Sequence, residues 1–430
     1  MQKAMLIQSC LDYIEENLKA DFSLSELAER CGYSLMHFYK LFSCEVGMPP
    51  AAYIKRRRLL AAVYEMRSGK KTEIAMSYGF ETYAGFFRAF LREFGYTPSS
   101  FIKNIYTEKP LPINIIKEEH IMITRKKISE LLSHWELDKE TVRSVFFEST
   151  GEQNENAFYV SEEYVLKLSR NKGSLKKHND LAEALAAEGL LSAEAIPADN
   201  GENILQDGEL YYSLQKRLPG KQLTAKEICS EPENAFHIGK AIGKLHLALK
   251  KLHFEAEDFP LFERVSAWAM PNSSKIISIP KDLQEEYLSG FGSLYPMLPR
   301  QLIHRDPNLG NIIFSGNEAG FIDFELSERN IRLFDPCYAA TSILIELWNK
   351  TEAEKHEIWP DIFAHLIQGY DSIMHLTAEE KEALPYVVLS IQFICVAWFH
   401  EIGRYPQIFE ANKQMTEWLI AHFEELKKLF

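Results

Sequence analysis

Cysteine is scarce in this sequence: six in 430 residues, at Cys10, Cys31, Cys44, Cys229, Cys337 and Cys395, with no CxxC pair. That argues against a zinc ribbon or a disulfide framework and fits a reducing compartment. The opening MQKAMLIQSCLDYIEENL lacks the basic region, apolar core and small-residue cleavage site of a signal peptide. Long apolar runs are missing too. The greasiest stretch, Leu384 to Phe399, is interrupted by Pro385, Ser390 and Gln392 and falls short of the about 20 residues needed to span a bilayer. It reads as a buried helix. With 46% apolar and 25% charged residues the chain is globular, and its length calls for two or three domains. A soluble, cytoplasmic protein without a membrane partner is expected, and the sequence is silent on oligomeric state.

Charge is divided unevenly. Residues 1–107 hold 14 Lys+Arg against 11 Asp+Glu, whereas the remainder holds 34 against 50. Only the first region suits a polyanion. Its segment SLSELAERCGYSLMHFYKLFSCEVG has Ser23 to cap one helix, Gly32 for a tight turn and Ser34 to cap the next. On that next helix Phe38, Leu41 and Phe42 share an inner face, leaving Met36, His37, Tyr39 and Lys40 outside. This is a helix-turn-helix pattern. It recurs in KTEIAMSYGFETYAGFFRAFLREFGYTP, with a turn at Gly79, Phe86 and Phe90 inside, and Tyr83, Ala84, Phe87, Arg88 and Leu91 toward the other side. Between the units AAYIKRRRLLAAVYEM forms a connecting helix that clusters Lys55, Arg56, Arg57 and Arg58. Two recognition helices on such a connector suit adjacent major grooves of double-stranded DNA about 34 Å apart.

Residues 5–105 resemble the AraC/XylS family of transcription regulators: LSELAERCGYS, then EIAMSYGF followed by FFRAFLREFGYTPSSFIK, match its two repeats in order and spacing. The resemblance implies that His37, Lys40, Tyr83 and Arg88 face base edges, while Lys55, Arg56, Arg57, Arg58 and Arg92 hold phosphates. Phe87 and Leu91 depart from the polar or basic residues usual in that family, and Ser43 stands where Lys is common.

Pro110 and Pro112 mark a linker, 108–125, after which Ile128 opens a new helical pattern. VRSVFFE, AFYV and EEYVLKLS read as strands, with the turn STGEQNENA between the first two. A helical pattern over 175–191 and the strand-like YYSLQKRLPG follow, and beyond Leu223 helices dominate. The expected architecture is multidomain: an all-α double helix-turn-helix domain over 1–107, then an α+β two-lobed domain over 126–430. Its small lobe spans about 126–216 and its helical lobe about 217–430.

The chemistry concentrates in LIHRDPNLGNIIFSGNEAGFIDFE. His304, Asp306 and Asn311 form H-x-D-x-x-x-x-N, and Asp323 follows inside an apolar run. Phosphoryl transfer needs a carboxylate near the attacking hydroxyl, which suits Asp306. It also needs hard oxygen ligands for Mg²⁺, which suit Asn311 and Asp323. His304 reads as an organiser of the loop ahead of a proton carrier. Lys167 in YVLKL is placed to meet nucleotide phosphates, with Glu183 or Glu188 as its acidic partner. Gly151 and Asn154 are candidates for covering those phosphates, although a full Gly-rich signature is missing.

These motifs, with IGKAIGKLHLAL and FDPCYAA in order, resemble the aminoglycoside phosphotransferase and choline kinase-like superfamily, relatives of protein kinases that phosphorylate small molecules. The resemblance covers roughly 126–425 and implies a kinase-like fold, ATP or GTP with Mg²⁺, and a small hydroxyl-bearing substrate. Protein kinases are the poorer match, because Glu325 replaces the Gly of D-F-G and no A-P-E segment follows. Arg305 replaces a common small residue, and Ala339 or Ala340 stands where a second acid is usual. The combination reads as a transcription regulator carrying a phosphotransferase-like domain. The alternative is an inactive kinase fold that only senses a ligand for the DNA-binding module.

Overall fold

In the first region short polar side chains fix where the helices begin. The computed structural model describes residues 2–105, 109–147, 151–349 and 355–430. Helices α1 (Gln2–Glu16), α2 (Leu24–Arg30), α3 (Leu35–Val46), α4 (Pro50–Glu65), α5 (Lys71–Ser77), α6 (Tyr83–Phe94) and α7 (Pro98–Asn104) follow one another. Ser23 and Glu26 form a reciprocal capping box on α2, and the Ser34 hydroxyl accepts from the His37 N–H at the start of α3. Thr82 does the same for α6. The two units repeat at a constant offset: caps Ser34 and Thr82 lie 48 residues apart, as do the left-handed terminators Gly47 (φ 88°) and Gly95 (φ 79°). Phe38 and Phe42 fill the first core, and Phe86 and Phe90 the second.

The basic cluster on α4 differs from expectation. Arg56 and Arg57 are buried, and each is paired with a carboxylate: Arg56 Nε to Glu93 Oε1 at 2.6 Å, Arg57 Nε to Glu15 Oε1 at 2.7 Å. Arg58 is half-buried, donating to the Ala20 carbonyl at 2.7 Å and lying over the Phe22 ring. An α4 packed on three sides has one outward stripe, and Lys55 occupies it. Arg56 and Arg57 tie α4 to α6 and α1 instead of lining a phosphate-facing surface, and Arg58 is engaged with the segment between α1 and α2.

Nor is the stretch after Pro110 a free tether. The Gln8 amide donates to the Ile113 carbonyl at 2.9 Å, and Arg56 and Arg57 donate to the carbonyls of Ile123 and Leu111. Ile113 and Met122 bury in the first helix-turn-helix core, while Ile121 and Ile123 bury in the core beneath the following sheet. Thr107 and residue 108, where the linker was expected to begin, lie outside the described residues.

After α8 (Arg125–Leu132) come β1 (Val142–Phe146), β2 (Gln153–Val160), β3 (Tyr164–Ser169), α9 (Lys172–Ala187), β4 (Leu191–Ser192), β5 (Ala195–Ile196), β6 (Leu205–Asp207) and β7 (Leu210–Lys216). An antiparallel sheet runs β1-β2-β3-β7-β5, with β6 also on β7. Three residues of the turn between β1 and β2, 148–150, lie outside the described residues. Edge strand β1 packs on the second helix-turn-helix unit. The Phe146 ring lies 4.9 Å from that of Phe101 and 5.9 Å from that of Phe94, and the Tyr96 hydroxyl donates to the Ser144 carbonyl at 3.0 Å. Arg125 donates to the Glu93 carbonyl and to the Ser144 hydroxyl, and its burial lowers its pKa to about 10.

The chain divides into two compact units, one of Met1–Lys176 with Ala195–Arg217, the other of Lys177–Glu194 with Leu218–Phe430. The helix-turn-helix region and the sheet fall in the same unit, and the order of elements is the one expected, an all-α region followed by an α+β one. In the second unit α10 (Ala225–Ser230) and α11 (Glu233–Lys251) precede β8 (Arg300–Ile303), β9 (Ile312–Ser315), β10 (Glu318–Phe321) and β11 (Glu328–Ile331). Then come α12 (Phe334–Asn349), α13 (Trp359–Met374), α14 (Ala378–Ile402) and α15 (Pro406–Ala421). Helices α11 and α13 meet closely because Gly239 and Gly369 leave no room for a side chain: a Cβ on either would fall within 2.0 Å of a backbone oxygen across the seam. Helix α14 is long and apolar enough to cross a membrane, yet 72% of its most apolar window is buried inside the molecule.

Candidate functional site

The loop from β8 to β9 is held by a carboxylate that the sequence reading passed over. Asp335, fully buried at the start of α12, accepts from the backbone N–H of His304 at 2.8 Å and of Arg305 at 2.9 Å. Its Oδ2 also accepts from His246 Nε2 at 2.9 Å, and His246 Nδ1 in turn accepts from the Tyr370 hydroxyl at 2.8 Å. Two successive amides aimed at one carboxylate bend the backbone, and Arg305 adopts φ 80°. Its side chain is kept in place by Glu328, at 3.1 Å, and by the Phe259 and Phe334 rings. The sequence signal was an acid inside an apolar run, the same signal that singled out Asp323.

His304 has both ring nitrogens engaged: Nε2 donates to the Ile322 carbonyl at 2.9 Å, and Nδ1 accepts from the Asp306 N–H at 3.2 Å. It is fully buried against Phe324. That arrangement orients the loop.

Asp306 is surrounded by donors. Asn308 Nδ2 donates to its Oδ1 at 2.8 Å, and Asn311 Nδ2 donates to its carbonyl at 2.8 Å and its Oδ2 at 3.2 Å. Burial pushes the Asp306 carboxyl above the usual aspartate range, Asn308, His304 and Tyr338 draw it partly back, and neighbouring Asp323 adds to the rise. The Asn311 amide nitrogen is thus spent on Asp306. Asp323 takes a left-handed backbone, φ 70°, and the next N–H, of Phe324, donates to His178 Nδ1 at 3.1 Å. Lys177 donates to the Ser327 carbonyl at 3.2 Å, so α9 secures the segment after Asp323. The Asn311 amide oxygen with the Asp323 carboxylate, beside a second carboxylate at Asp306, is a donor set that fits Mg²⁺.

Of the other nucleotide candidates, Glu183 is exposed on the outer face of α9, and Glu188 is ion-paired with Lys251 at 2.6 Å. The buried face of α9 presents His178 and Asn179. In the first unit Lys167 is half-buried on β3, opposite Ala157 and Ser213 on the flanking strands. Gly151 has φ 68° and donates to the Phe147 carbonyl at 2.7 Å, closing the turn, while the Asn154 side chain accepts from the Asn156 N–H at 2.9 Å.

On the helix-turn-helix units His37, Lys40, Lys55, Arg88 and Arg92 are exposed, and Tyr83 is half-buried against Phe86. Ala339 and Ala340, where a second acid is usual, are fully buried in apolar surroundings.

Comparison with known proteins separates the helix-turn-helix region from the region that follows it. A phosphotransferase enzyme family matches residues 148–366, and a helix-turn-helix domain family matches residues 17–104. The chain is 39% identical over 101 residues to the transposon Tn10 TetD protein of Escherichia coli, covering 23% of this chain and 73% of that protein. It is 33% identical over 116 residues to the multiple antibiotic resistance protein MarA of Salmonella typhimurium, covering 26% of this chain and 91% of that protein. A microcompartment-associated aminopropanol kinase aligns in structure with TM-score 0.50 and 16% identity, over 71% of this chain and 99% of that one, a likeness of fold.

Proposed function

The chain belongs to the phosphotransferase enzyme family and carries an AraC-type helix-turn-helix domain, and from that premise we propose that it is a sequence-specific transcription regulator whose second region binds nucleotide and phosphorylates a small hydroxyl-bearing molecule. It works in the cytoplasm. The observation that carries the catalytic half is the cradle of Asp306, a carboxylate raised by burial and held between Asn308 and Asn311. In that setting Asp306 orients the acceptor hydroxyl and takes its proton as the phosphoryl group moves. Asp335 and His304 hold the loop so that Asp306 meets the hydroxyl without reorganising. Asn311 and Asp323 would hold Mg²⁺, which would supply charge neutralisation at the phosphates. Lys167 is the cation assigned to the nucleotide phosphates, ATP or GTP. The acidic excess of the second region favours a cationic acceptor, such as an amine-bearing sugar.

Transfer of labelled phosphate from ATP or GTP to a panel of amine-bearing alcohols tests this. Transfer that is lost in Asp306→Asn, with DNA binding intact, is the expected result. Equal transfer by the variant defeats the assignment. A second reading, in which the domain only senses its ligand, draws support from the packing of β1 on the second helix-turn-helix unit. It predicts nucleotide binding without transfer to any acceptor.

A further inference from the structure

The apolar side chains that the first region leaves in water gather on its two recognition helices. Leu35, Met36 and Tyr39 on α3 are 46, 72 and 42% exposed, and Leu91 on α6 is 41% exposed. Among the described residues 2–105, Met5 and Met76 alone add to that group. The same faces carry the exposed cations Lys40, Arg88 and Arg92. Acidic residues are nearly absent from them: α3 has Glu45, half-buried in its last turn, and α6 has Glu93, which is paired inward with Arg56. An apolar and cationic surface with few carboxylates fits a polyanion that also offers apolar groups, and the DNA major groove is one.

The 48-residue repeat makes the match specific. Tyr39 and Lys40 on α3 occupy the places of Phe87 and Arg88 on α6, so each helix sets an aromatic ring beside a cation at the same distance from its cap. In the major groove, the O6 and N7 of guanine accept from Lys or Arg, and the C5 methyl of thymine is the apolar group that an aromatic ring can cover. We propose that the operator is read as two segments one helical turn apart, each containing a dT beside a dG. Lys40 and Arg88 donate to the dG, and Tyr39 and Phe87 cover the dT methyl. Leu91, in the place of Ser43, covers a further methyl in the second segment. The residues usually polar in this family's second unit are here the ones that read thymine. This inference rests on the DNA-binding half of the reading above and names the chemistry of its site.

The test is selection of duplexes from a random-sequence pool with the full chain, followed by replacement of each selected thymine by uracil, which removes only the methyl. The expected result is a dT next to a dG in both segments, and a loss of about fourfold in affinity for each critical methyl removed, the value of burying one such group. Tyr39→Ser abolishes the uracil effect in one segment and Phe87→Ser in the other. Because the uracil measurement is made on the unaltered protein, it stands even where Phe87→Ser fails to fold. Selected DNA that binds equally well with uracil overturns the inference while leaving DNA recognition intact, and assigns the apolar faces to a protein partner. No enrichment of any sequence overturns both.

Discussion

Asp306 has to be buried and charged at once, and its surroundings show how the conflict is settled: Asn308, His304 and Tyr338 offset part of the desolvation, and the carboxyl is still pushed above the usual range. The ionised form is the penalised one. Relative to an unfolded aspartate, near about 3.9, this group therefore favours folding most at acid pH, and that contribution is lost as pH rises through its folded value. Turnover needs the ionised form. The acid limb of the rate profile is predicted to lie above that of an exposed carboxylate, and a limb at or below about pH 4 would contradict the burial argument. Arg56 poses the opposite case, a buried cation whose partner is close. Arg56→Ala is predicted to destabilise the protein by about 3–5 kcal/mol in urea unfolding, because it strands Glu93 and the Ile123 carbonyl. If the variant instead stayed fully stable and only bound DNA more weakly, Arg56 would be a phosphate contact after all. The sequence showed four adjacent basic residues but not which way a helix packed on three sides would turn them. That depends on Glu15 and Glu93, which lie on other helices.

At the scale of elements, most of the first region was legible because its signals are local. Ser23, Ser34, Gly32 and Gly79 act within a turn of where they stand, and the inner faces Phe38–Phe42 and Phe86–Phe90 follow from helical spacing. The packing of β1 on the second helix-turn-helix was not legible, since it depends on Phe146 meeting Phe94 and Phe101 across a break in the pattern. The same holds for Asp335, whose partners His246 and His304 lie far off in sequence. Phe146→Ala is predicted to cost about 2 kcal/mol, below the range for a fully buried ring because Phe146 is half-exposed. Gly95→Ala is predicted to cost more than the about 1 kcal/mol of an unfavourable backbone, since its Cβ would also sit 2.6 Å from the Val142 carbonyl oxygen. Denaturant titrations of both variants check the seam, and a Gly95→Ala protein as stable as the parent would show that β1 does not press on α6.

At the scale of the whole molecule, charge and nucleotide give separate handles on the two units. Of the cations expected on DNA, Lys40, Lys55, Arg88 and Arg92 remain exposed, whereas Arg56, Arg57 and Arg58 are engaged internally. With Lys40 and Arg88 on base edges, Lys55 and Arg92 are the phosphate-neutralising cations and give a slope of log affinity against log salt of about −1.8; a slope near about −4.5 would return the α4 arginines to the DNA. The central claim, a working nucleotide site built on Asn311 and Asp323, is tested most directly by melting the protein with and without Mg²⁺ and ATP or GTP, beside Asp323→Asn. Nucleotide at 100 times its dissociation constant adds about 2.7 kcal/mol, or about 5–10 °C for a unit of this size. The account predicts a magnesium-dependent rise of that order in the parent and none in the variant. An equal rise in both, or no rise with either nucleotide, would contradict it.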